Sequence, residues 1–219
     1  EISECLVGSE MCIRDRYSAM VQLGLFTGMR RGEICGLRWS DIDFNASTIS
    51  VNRTVEYIPH EGLIFTAPKT KASNRTFKVG ANCMDMLREY QLYQKAERLR
   101  VGSAWARTVR VENGKTVQND LLFTRWDGTP LDLNKVTTWF PRFLRAHDLP
   151  AVTVHSLRHT YASLMIASHV PIVTVAGRLG HAQTSTTTDI YAGFIKTADA
   201  AASDVMEGVF DRIKEKSHA

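Results

Sequence analysis

The sequence lacks the features of several large protein classes, and each absence excludes one of them. Its 219 residues contain only four cysteines, with no Cys-x-x-Cys pair and no histidine at the spacing of a zinc site (Cys5, Cys12, Cys35 and Cys83). A disulfide-stabilised fold and a structural zinc site are therefore not expected. We predict that the four cysteines are reduced thiols in an intracellular protein.

Long apolar runs are also missing. No stretch approaches the roughly 20 apolar residues that a membrane-spanning helix needs. The first residues lack the basic start, the apolar stretch and the small-residue cleavage site of a signal peptide. We therefore expect a soluble, cytoplasmic protein with no membrane partner. The apolar content of 44% suffices for the core of one large domain.

Charge is nearly balanced over the whole chain but uneven along it. The net charge is +4, whereas residues 69–110 contain ten Lys or Arg and three Asp or Glu, an excess of seven positive charges. Lys and Arg side chains bind DNA phosphates and release counterions, so a nucleic-acid partner fits this stretch. A solvated helix face without a ligand explains the same charges, and the sequence leaves both interpretations open.

The first sixteen residues differ in character from the rest. They begin without methionine, contain two cysteines and show no sustained helical or strand periodicity. The string from Cys5 to Arg16 resembles a translated sequencing-adapter artefact. We therefore expect residues 1–16 to be non-native and residues 17–219 to form one domain.

The remaining sequence predicts a mainly α fold with a small antiparallel β-sheet, which is an α+β architecture. Apolar periodicity and capping residues predict helices over residues 17–27, 31–39, 83–99, 134–147, 155–168, 171–179 and 195–216. Runs of β-branched and aromatic residues predict strands over 48–58, 63–67, 75–79 and 121–123, with a short hairpin around Asn113-Gly114. We expect Gly28 to end the first helix and Pro141 to kink or break the fourth.

One arginine in the N-terminal half is suited to binding an anion. Arg30 lies between Gly28 and the predicted helix that begins near Arg31. Backbone N–H groups at a helix start and a guanidinium both attract anions. An ordinary ion pair between Arg30 and Glu33 or Asp41 is the alternative.

The C-terminal part contains the groups that metal-free cleavage of a phosphodiester requires. His155 and Arg158 are three residues apart and share one face of a predicted helix. The triplet Leu179-Gly180-His181 ends the next helix, and Tyr191 follows ten residues after His181. A tyrosine can attack phosphorus, an arginine can hold charged oxygens, and histidines can move or share protons.

Together, and in this order, these motifs resemble those of the tyrosine recombinase family, also called the phage integrase family. The resemblance is carried by Thr27-Gly-Met-Arg30-Arg-Gly-Glu33 with Leu37-Arg-Trp39-Ser-Asp41-Ile-Asp43, by Pro68-Lys69-Thr70-Lys71-Ala-Ser73-Asn-Arg75, by His155-x-Leu157-Arg158-His159, and by Leu179-Gly180-His181 with Tyr191. It extends from about Tyr17 to the end of the chain, and no catalytic position departs from the family pattern. It implies the fold of a tyrosine recombinase catalytic domain.

The resemblance implies a covalent mechanism. Tyr191 would be the nucleophile that attacks the scissile phosphate and leaves a 3′-phosphotyrosyl link and a free 5′-hydroxyl. Arg30 and Arg158 would hold the non-bridging oxygens and neutralise the charge that grows in the transition state. Because the covalent link conserves the energy of the broken phosphodiester bond, religation would need neither ATP nor metal, and no cofactor is expected.

The remaining catalytic roles also follow from the resemblance. Lys69 would protonate the departing 5′ oxygen, with Lys71 as the less favoured alternative. His155 would accept the proton of the tyrosine, and His181 would donate a hydrogen bond to the phosphate. A further set of basic side chains would contact DNA outside the reacting centre: Arg31, Lys71 and Arg75. Glu33 is expected to brace its neighbours, and His159 to be structural.

The resemblance also implies partners. The substrate would be a double-stranded DNA attachment site, bound by a homotetramer, with a directionality factor or a host DNA-bending protein as an accessory partner. The predicted helix over residues 195–216 would pack on the neighbouring protomer, and docking on its own core is the alternative. Family members usually carry an N-terminal domain that clamps DNA, which this sequence does not contain, so we expect poor site choice.

Four functions fit these residues to different degrees. The main hypothesis is a bacterial or phage-encoded integrase that inserts and excises a phage or an integrative element. A Xer-like recombinase that resolves chromosome dimers would use the same chemistry. A type IB topoisomerase is disfavoured by the arginine motif and the spacing from His181 to Tyr191. A DNA-binding regulator that has lost turnover is disfavoured because every catalytic position is filled.

Overall fold

Helices packed with small antiparallel sheets make up the chain, and the computed structural model describes residues 16–68, 70–111 and 114–181. The helices are α1 Arg16–Thr27, α2 Arg31–Gly36, α3 Ala81–Val101, α4 Leu133–Ala146, α5 Val154–Ala167 and α6 Ile172–Leu179. The strands are β1 Ile42–Asp43, β2 Thr48–Val51, β3 Thr54–Ile58, β4 Gly62–Thr66, β5 Arg75–Lys78, β6 Thr108–Arg110 and β7 Thr116–Gln118. The predicted α+β fold class is confirmed.

The strands pair as several small antiparallel units rather than as one sheet. A three-stranded sheet has the order β1-β2-β5, while β3 pairs with β4 and β6 with β7. The predicted strand over 48–58 is therefore two strands, interrupted at Asn52 and Arg53. Both of these side chains donate hydrogen bonds to the Asp41 carboxylate. The chain leaves the first sheet at these two residues and enters the β3–β4 pair.

Helix α1 lies at the centre of the core. Its side chains are buried over most of its circumference, including Met20, Val21 and Leu23. A helix that is apolar on every side must be covered by neighbours, and α1 packs against α2, α3, α4 and α5. Leu157 of α5 shares one apolar cluster with Val21. This packing brings the C-terminal end of α1 close to α5 and α6.

Gly28 ends α1 as predicted. Its φ of +64° is left-handed, a conformation that glycine adopts without strain. A Cβ at this position would lie 2.5 Å from a ring carbon of Tyr161 and 2.8 Å from a methyl carbon of Leu179. The close approach allows the chain to turn directly from α1 into α2 against α5 and α6.

Helix α2 is shorter than predicted, because it ends at Gly36 rather than near Trp39. Leu37 has an extended backbone, and its carbonyl accepts a hydrogen bond of 2.9 Å from the Leu122 N–H. This long-range pairing takes the place of further helical turns. The predicted strand over 121–123 is reduced to this contact and one bridge between Leu121 and Arg38.

Helix α4 continues through Pro141 as one element, so of the kink or break that was predicted, the break does not occur. A proline inside a helix costs about 3 kcal/mol. Val136, Phe140 and Leu144 are all buried on this helix, and each contributes about 1.5–3 kcal/mol on burial. Packing of the apolar face therefore outweighs the cost of the proline.

Several predictions concern residues outside the described ranges. These are the segment 1–15, Lys69, Asn113, Tyr191 and the helix over 195–216. The hairpin predicted around Asn113 is nevertheless present as the β6–β7 pair. No helix within the described ranges is both long and apolar enough to cross a membrane.

Candidate active site

Arg30 lies at the junction of α1 and α2, where it is the N-cap residue of α2. Its guanidinium donates a hydrogen bond to the Glu33 carboxylate at 3.0 Å and approaches the Gly180 carbonyl at 3.5 Å. Its side chain is 41% exposed, so it also faces solvent. The pair with Glu33 considered from the sequence is formed, whereas Asp41 pairs with Arg53. Because the Arg30 N–H donates to Glu33 at 2.8 Å, this amide is not available to an anion.

The Glu33 carboxylate lies buried between two arginines. Arg75 donates two hydrogen bonds to it, from Nη1 to Oε1 at 3.1 Å and from Nη2 to Oε2 at 2.9 Å. Burial raises the pKa of Glu33, but the hydrogen bonds and charges of Arg75 and Arg30 outweigh burial and leave it below its ordinary value. Glu33 is therefore ionised at neutral pH and orients both arginines, which are the contacts expected of a brace.

Arg158 connects the ends of two helices. Its side chain is buried, and the whole residue is 5% exposed. Nη1 donates a hydrogen bond to the Gly28 carbonyl at 2.8 Å, and Nη2 donates one to the Leu179 carbonyl at 2.7 Å. Hydrogen bonds from a charged donor are strong and directional. The guanidinium plane is thereby fixed between the end of α1 and the end of α6.

His155 lies in the first turn of α5. That turn is capped reciprocally: the Ser156 N–H donates to Thr153 Oγ1 at 3.2 Å, and the Thr153 N–H donates to Ser156 Oγ at 3.2 Å. The cap fixes the start of the helix, so His155 and Arg158 lie on one face, as their spacing predicts. The ring of His159 meets that of His155 edge-on, with centroids 4.9 Å apart.

The pKa of His155 is lowered from its ordinary value. Burial is the largest cause, followed by the positive charges of His159, Arg158 and Arg30. A neutral imidazole has one nitrogen that accepts a proton. His155 is therefore in the correct protonation state to act as a base at neutral pH.

His181 follows α6 directly. Gly180 ends that helix with a φ of +68°, and the His181 N–H donates a hydrogen bond to the Ala176 carbonyl at 3.0 Å. Burial, and then the charges of Arg158, Arg30 and Arg75, lower the pKa of His181 to about 4, although Glu33 acts in the opposite direction. At neutral pH the imidazole is neutral and has one N–H that can donate a hydrogen bond.

Three of these side chains, Arg30, His155 and Arg158, line a cleft of about 400 Å³. Its lining comes from α2, α4 and α5 and comprises Met29, Arg30, Arg31, Gly32, Thr137, Thr153, Val154, His155 and Arg158. This lining contains three arginines and no carboxylate. Guanidinium groups bind phosphate oxygens in a bidentate manner, so the cleft suits an anionic phosphodiester.

Three of the six predicted catalytic residues line this cleft: Arg30, His155 and Arg158. A fourth, His181, is close enough to Arg158 and Arg30 for their charges to lower its pKa. The other two, Lys69 and Tyr191, lie outside the described ranges. Arg31, predicted to contact DNA, also lines the cleft, and its Nη1 donates hydrogen bonds to the Leu133 carbonyl and to the Thr137 hydroxyl. The backbone of Lys71 begins a one-turn 3-10 helix.

Arg75 was predicted to contact DNA, and the structure places it inside the protein instead. Its side chain is 7% exposed and donates hydrogen bonds to Glu33 and to the carbonyls of Ser73 and Arg178. The physical reason is the buried Glu33 carboxylate, which needs a cationic partner. The two residues are 42 positions apart, so local sequence gave no sign of the pair.

Two cations of the basic stretch 69–110 belong to an exposed helix face. Arg88 pairs with Asp85 at 2.6 Å, and Arg100 pairs with Glu97 at 2.8 Å, both three residues apart on α3. For these residues the interpretation as a solvated face holds. Arg75, Arg88 and Arg100 all form ion pairs within the protein, so fewer positive charges of this stretch are left to bind DNA phosphates.

A metal site is not formed within the part of the chain that the structure describes, where no three His, Cys, Asp or Glu side chains cluster. Cys35 and Cys83 are free thiols, and burial raises the pKa of each to about 12. The thiolate is the reactive form of cysteine, so neither residue is a nucleophile at neutral pH.

Sequence reasoning missed three residues at or next to the site. Thr137 and Thr153 line the cleft, and Arg178 holds α6 against β5 through the Lys78 carbonyl. The motif Thr153-x-x-Ser156 before the apolar run was a detectable capping signal. Thr137 and Arg178 depend on tertiary packing and carried no local signal.

Known proteins share both the sequence pattern and the fold. The family model described as the phage integrase family matches residues 5–196, beginning inside the segment 1–16. A XerC-like tyrosine recombinase of Caldanaerobacter subterraneus subsp. tengcongensis is 30% identical over an alignment of 203 residues, and the alignment covers 89% of this chain and 50% of that protein. The ICEBs1 integrase of Bacillus subtilis is 25% identical over 175 residues, which are 80% of this chain and 44% of that protein. The chain thus spans about half the length of these relatives.

Solved structures show the same fold. The Tn1549 transposon integrase in complex with transposon right end DNA superposes with a TM-score of 0.69 at 19% identity, covering 87% of this chain and 57% of that one. The XerA recombinase gives a TM-score of 0.58 at 22% identity, covering 85% of this chain and 56% of that one. A cleft of arginines and neutral histidines, the fold around it and a family match over most of the sequence agree, and the chain belongs to the phage integrase family, the tyrosine recombinases.

Proposed function

We propose that this chain is the catalytic part of a site-specific DNA recombinase that cleaves and rejoins strands through a 3′-phosphotyrosyl intermediate. The observation that carries the proposal is the cleft lined by Arg30, His155 and Arg158, with His181 held beside it. Three separate parts of the chain supply these groups, and the lowered pKa values of His155 and His181 keep both imidazoles neutral at neutral pH.

The two arginines would bind the scissile phosphate. Arg158 is held in place by two backbone carbonyls, and Arg30 is oriented by Glu33 while remaining partly exposed. Donors fixed before the reaction stabilise the charge that develops on the non-bridging oxygens without reorganising. Loss of one such donor typically costs about 10²–10³ in rate. His181 would donate a third hydrogen bond to the same phosphate.

The two remaining reacting groups of the proposal, Tyr191 and Lys69, lie outside the described ranges. The Tyr191 oxygen would attack phosphorus, and its proton would pass to His155, whose lowered pKa keeps it neutral. The bond from phosphorus to the 5′ oxygen would break as Lys69 protonates that oxygen. Reversal of these steps with another 5′-hydroxyl would join the strand to a new partner, with no net change in phosphodiester bonds.

The biological role proposed is integration and excision of a mobile element. Relatives named as integrases come from the ICEBs1 element, from Streptomyces ambofaciens and from Staphylococcus phage L54a. Chromosome resolution is the second candidate, which the XerC-like relative favours. An attachment site next to the gene would support the first role. The proposed substrate is a duplex attachment site, bound by a homotetramer whose protomers exchange the helix over 195–216. A directionality factor or a DNA-bending protein is the proposed accessory partner.

Covalent trapping tests the chemistry directly. The chain is incubated without metal with nicked duplexes of randomised sequence, and covalent adducts are separated on a denaturing gel. We expect an adduct that resists chelators and disappears in Tyr191→Phe. The matched control is Tyr93→Phe, which removes a hydroxyl from a partly buried ring on α3 and should trap DNA as the wild type does.

Two results would contradict the proposal. An adduct that persists in Tyr191→Phe would show that another residue is the nucleophile. Absence of an adduct from the wild-type chain, in the presence of demonstrated DNA binding, would favour the DNA-binding regulator instead. Sequencing of the trapped duplexes then identifies the preferred site and allows a search beside the gene.

A further inference from the structure

Two arginines connect β5 to α6 in opposite directions. Arg75, on β5, donates a hydrogen bond from Nε to the carbonyl of Arg178 at 2.6 Å. Arg178, on α6, donates one from Nη2 to the carbonyl of Lys78 at 2.9 Å. Each side chain therefore binds the backbone of the element that carries the other.

Two aromatic rings, Phe77 and Tyr161, pack against these arginines. The Arg178 guanidinium lies 5.0 Å from the ring centre of Phe77 and 5.9 Å from that of Tyr161, and the Arg75 guanidinium lies 5.8 Å from Phe77. The Arg178 Nε also donates to the Tyr161 hydroxyl. Cation–π contacts hold a guanidinium plane in a fixed orientation, so both donors keep their direction.

Three segments of the candidate active site meet at Arg75. Its guanidinium binds the Glu33 carboxylate that orients Arg30, and its Nη1 donates to the Ser73 carbonyl at 3.1 Å in the turn that follows Lys69. Its Nε binds the last turn before Gly180 and His181. A Cβ on Gly180 would lie 2.8 Å from Arg75 Nη1, so this contact is close.

We propose that Arg75 and Arg178 together form a clamp. The clamp sets the positions of His181 and of the Ser73 backbone relative to Arg30. Both are positioning residues that act through the backbone rather than through contact with DNA. The structural part of this inference stands on the contacts above, and its catalytic consequence rests on the proposed function.

Lysine cannot replace either arginine in this arrangement. Arg75 uses Nε, Nη1 and Nη2 for different partners in one plane, and Arg178 uses Nε and Nη2. A lysine ammonium is a single point on a flexible stem and does not reproduce this fork. Arg75→Lys and Arg178→Lys therefore keep the charge and remove the geometry.

The first experiment measures hydrogen exchange and needs no activity. The Gly180 and His181 amides donate to the carbonyls of Gly177 and Ala176, so their exchange reports whether the end of α6 is held. We expect each lysine variant to exchange these amides about tenfold faster or more, while amides in α3 are unchanged. The control Arg145→Lys changes an exposed arginine that binds only its own helix and should leave both amides as in the wild type.

The second experiment measures trapping with the same variants. At saturating DNA, we expect the rate constant of adduct formation to fall about a hundredfold, because displacement by about 1 Å costs that much. The DNA concentration for half-saturation and the salt dependence of binding should not move. A phosphate contact would instead weaken binding and reduce the salt slope by about one.

The possible outcomes separate the clamp from the proposed function. Unchanged exchange at Gly180 and His181 in both variants would overturn the clamp whatever the activity. Faster exchange with wild-type trapping would overturn its catalytic consequence. Faster exchange in a chain whose wild type forms no adduct would support the clamp and contradict the proposed function. Arg75→Lys could unfold the protein, because it leaves the buried Glu33 without its main partner. In that case the test is made with Arg178→Lys and with Tyr161→Phe, which removes the hydroxyl that accepts from Arg178 Nε.

Discussion

The Arg158 guanidinium donates a hydrogen bond of 2.7 Å to the carbonyl of Leu179, 21 residues further along the chain. A second hydrogen bond of 2.8 Å goes to the Gly28 carbonyl. One side chain therefore ties the ends of α1 and α6 together while lining the cleft. The arginine that we propose to bind the scissile phosphate is therefore expected to contribute to folding as well.

Arg158→Lys should lose both stability and activity. A lysine cannot reach both carbonyls at once, and leaving a buried carbonyl without its charged donor costs about 1.5–3 kcal/mol in the free energy of unfolding. We also expect the rate of adduct formation to fall at least about a hundredfold. Urea unfolding and single-turnover trapping measure the two effects.

Arg30→Lys is the matched comparison. The Arg30 side chain is 41% exposed, and the buried Glu33 keeps both hydrogen bonds from Arg75 when Arg30 is changed. We therefore expect the free energy of unfolding to fall by about 1 kcal/mol or less. The urea concentration at the unfolding midpoint should therefore hardly change. The rate of adduct formation should fall as steeply as in Arg158→Lys, because both arginines are proposed to hold the phosphate. Equal losses of stability in the two variants would contradict the different structural roles assigned to these arginines.

Gly28→Ala should destabilise the protein. The backbone there has a φ of +64° and a Cβ would lie 2.5 Å from Tyr161, so strain of about 1–2 kcal/mol adds to overpacking of about 1–3 kcal/mol. Urea unfolding gives the sum. Gly80→Ala, where nothing lies within 4 Å of the added Cβ, should change stability by less than about 1 kcal/mol. A Gly28→Ala protein as stable as Gly80→Ala would refute the close packing.

Stability should fall with decreasing pH in part because of His181. Its pKa is lowered from 6.5 to about 4, so between these values the unfolded chain binds more protons than the folded one. The contribution of His181 is therefore present above pH 6.5 and is lost as the pH falls through about 4. NMR titration of the imidazole measures the pKa, and His181→Gln should make the pH dependence of unfolding shallower. A ring that titrates at 6.5 would contradict the buried, arginine-lined environment.

Arg31→Gln tests the remaining prediction of a DNA contact next to the cleft. Loss of one phosphate contact should weaken binding to all sequences alike and reduce the slope of log affinity against log salt by about one. Fluorescence anisotropy over a series of salt concentrations gives the slope. An unchanged slope would restrict Arg31 to holding α4 through Leu133 and Thr137.

The elements and motifs that depend on local chemistry were predictable from the sequence. Gly28 and Gly180 both have left-handed backbones at the helix ends where glycine was expected. The spacing of His155 and Arg158 placed them on one helix face. Motif order alone identified the family, which the match over residues 5–196 confirms.

The features that were missed depend on partners far away in the chain. Arg75 appeared to be a surface cation because nothing near it in sequence reveals the buried Glu33. Helix α2 appeared longer because the apolar periodicity continues to Trp39, whereas pairing of Leu37 with Leu122 ends it. A break at Pro141 was left open beside a kink, because the burial of Phe140 on α4 is a property of the tertiary fold.

Identification of the residue bonded to DNA tests the central claim most directly. Trapped adduct is digested with protease and nuclease, and the modified peptide is sequenced by mass spectrometry, while the released strand is tested for a free 5′-hydroxyl. The claim that the cleft presents a phosphate to a tyrosine nucleophile predicts a 3′-linked nucleotide on Tyr191 and a 5′-hydroxyl on the other strand end. A nucleotide on another residue, or a link through a 5′-phosphate, would contradict it.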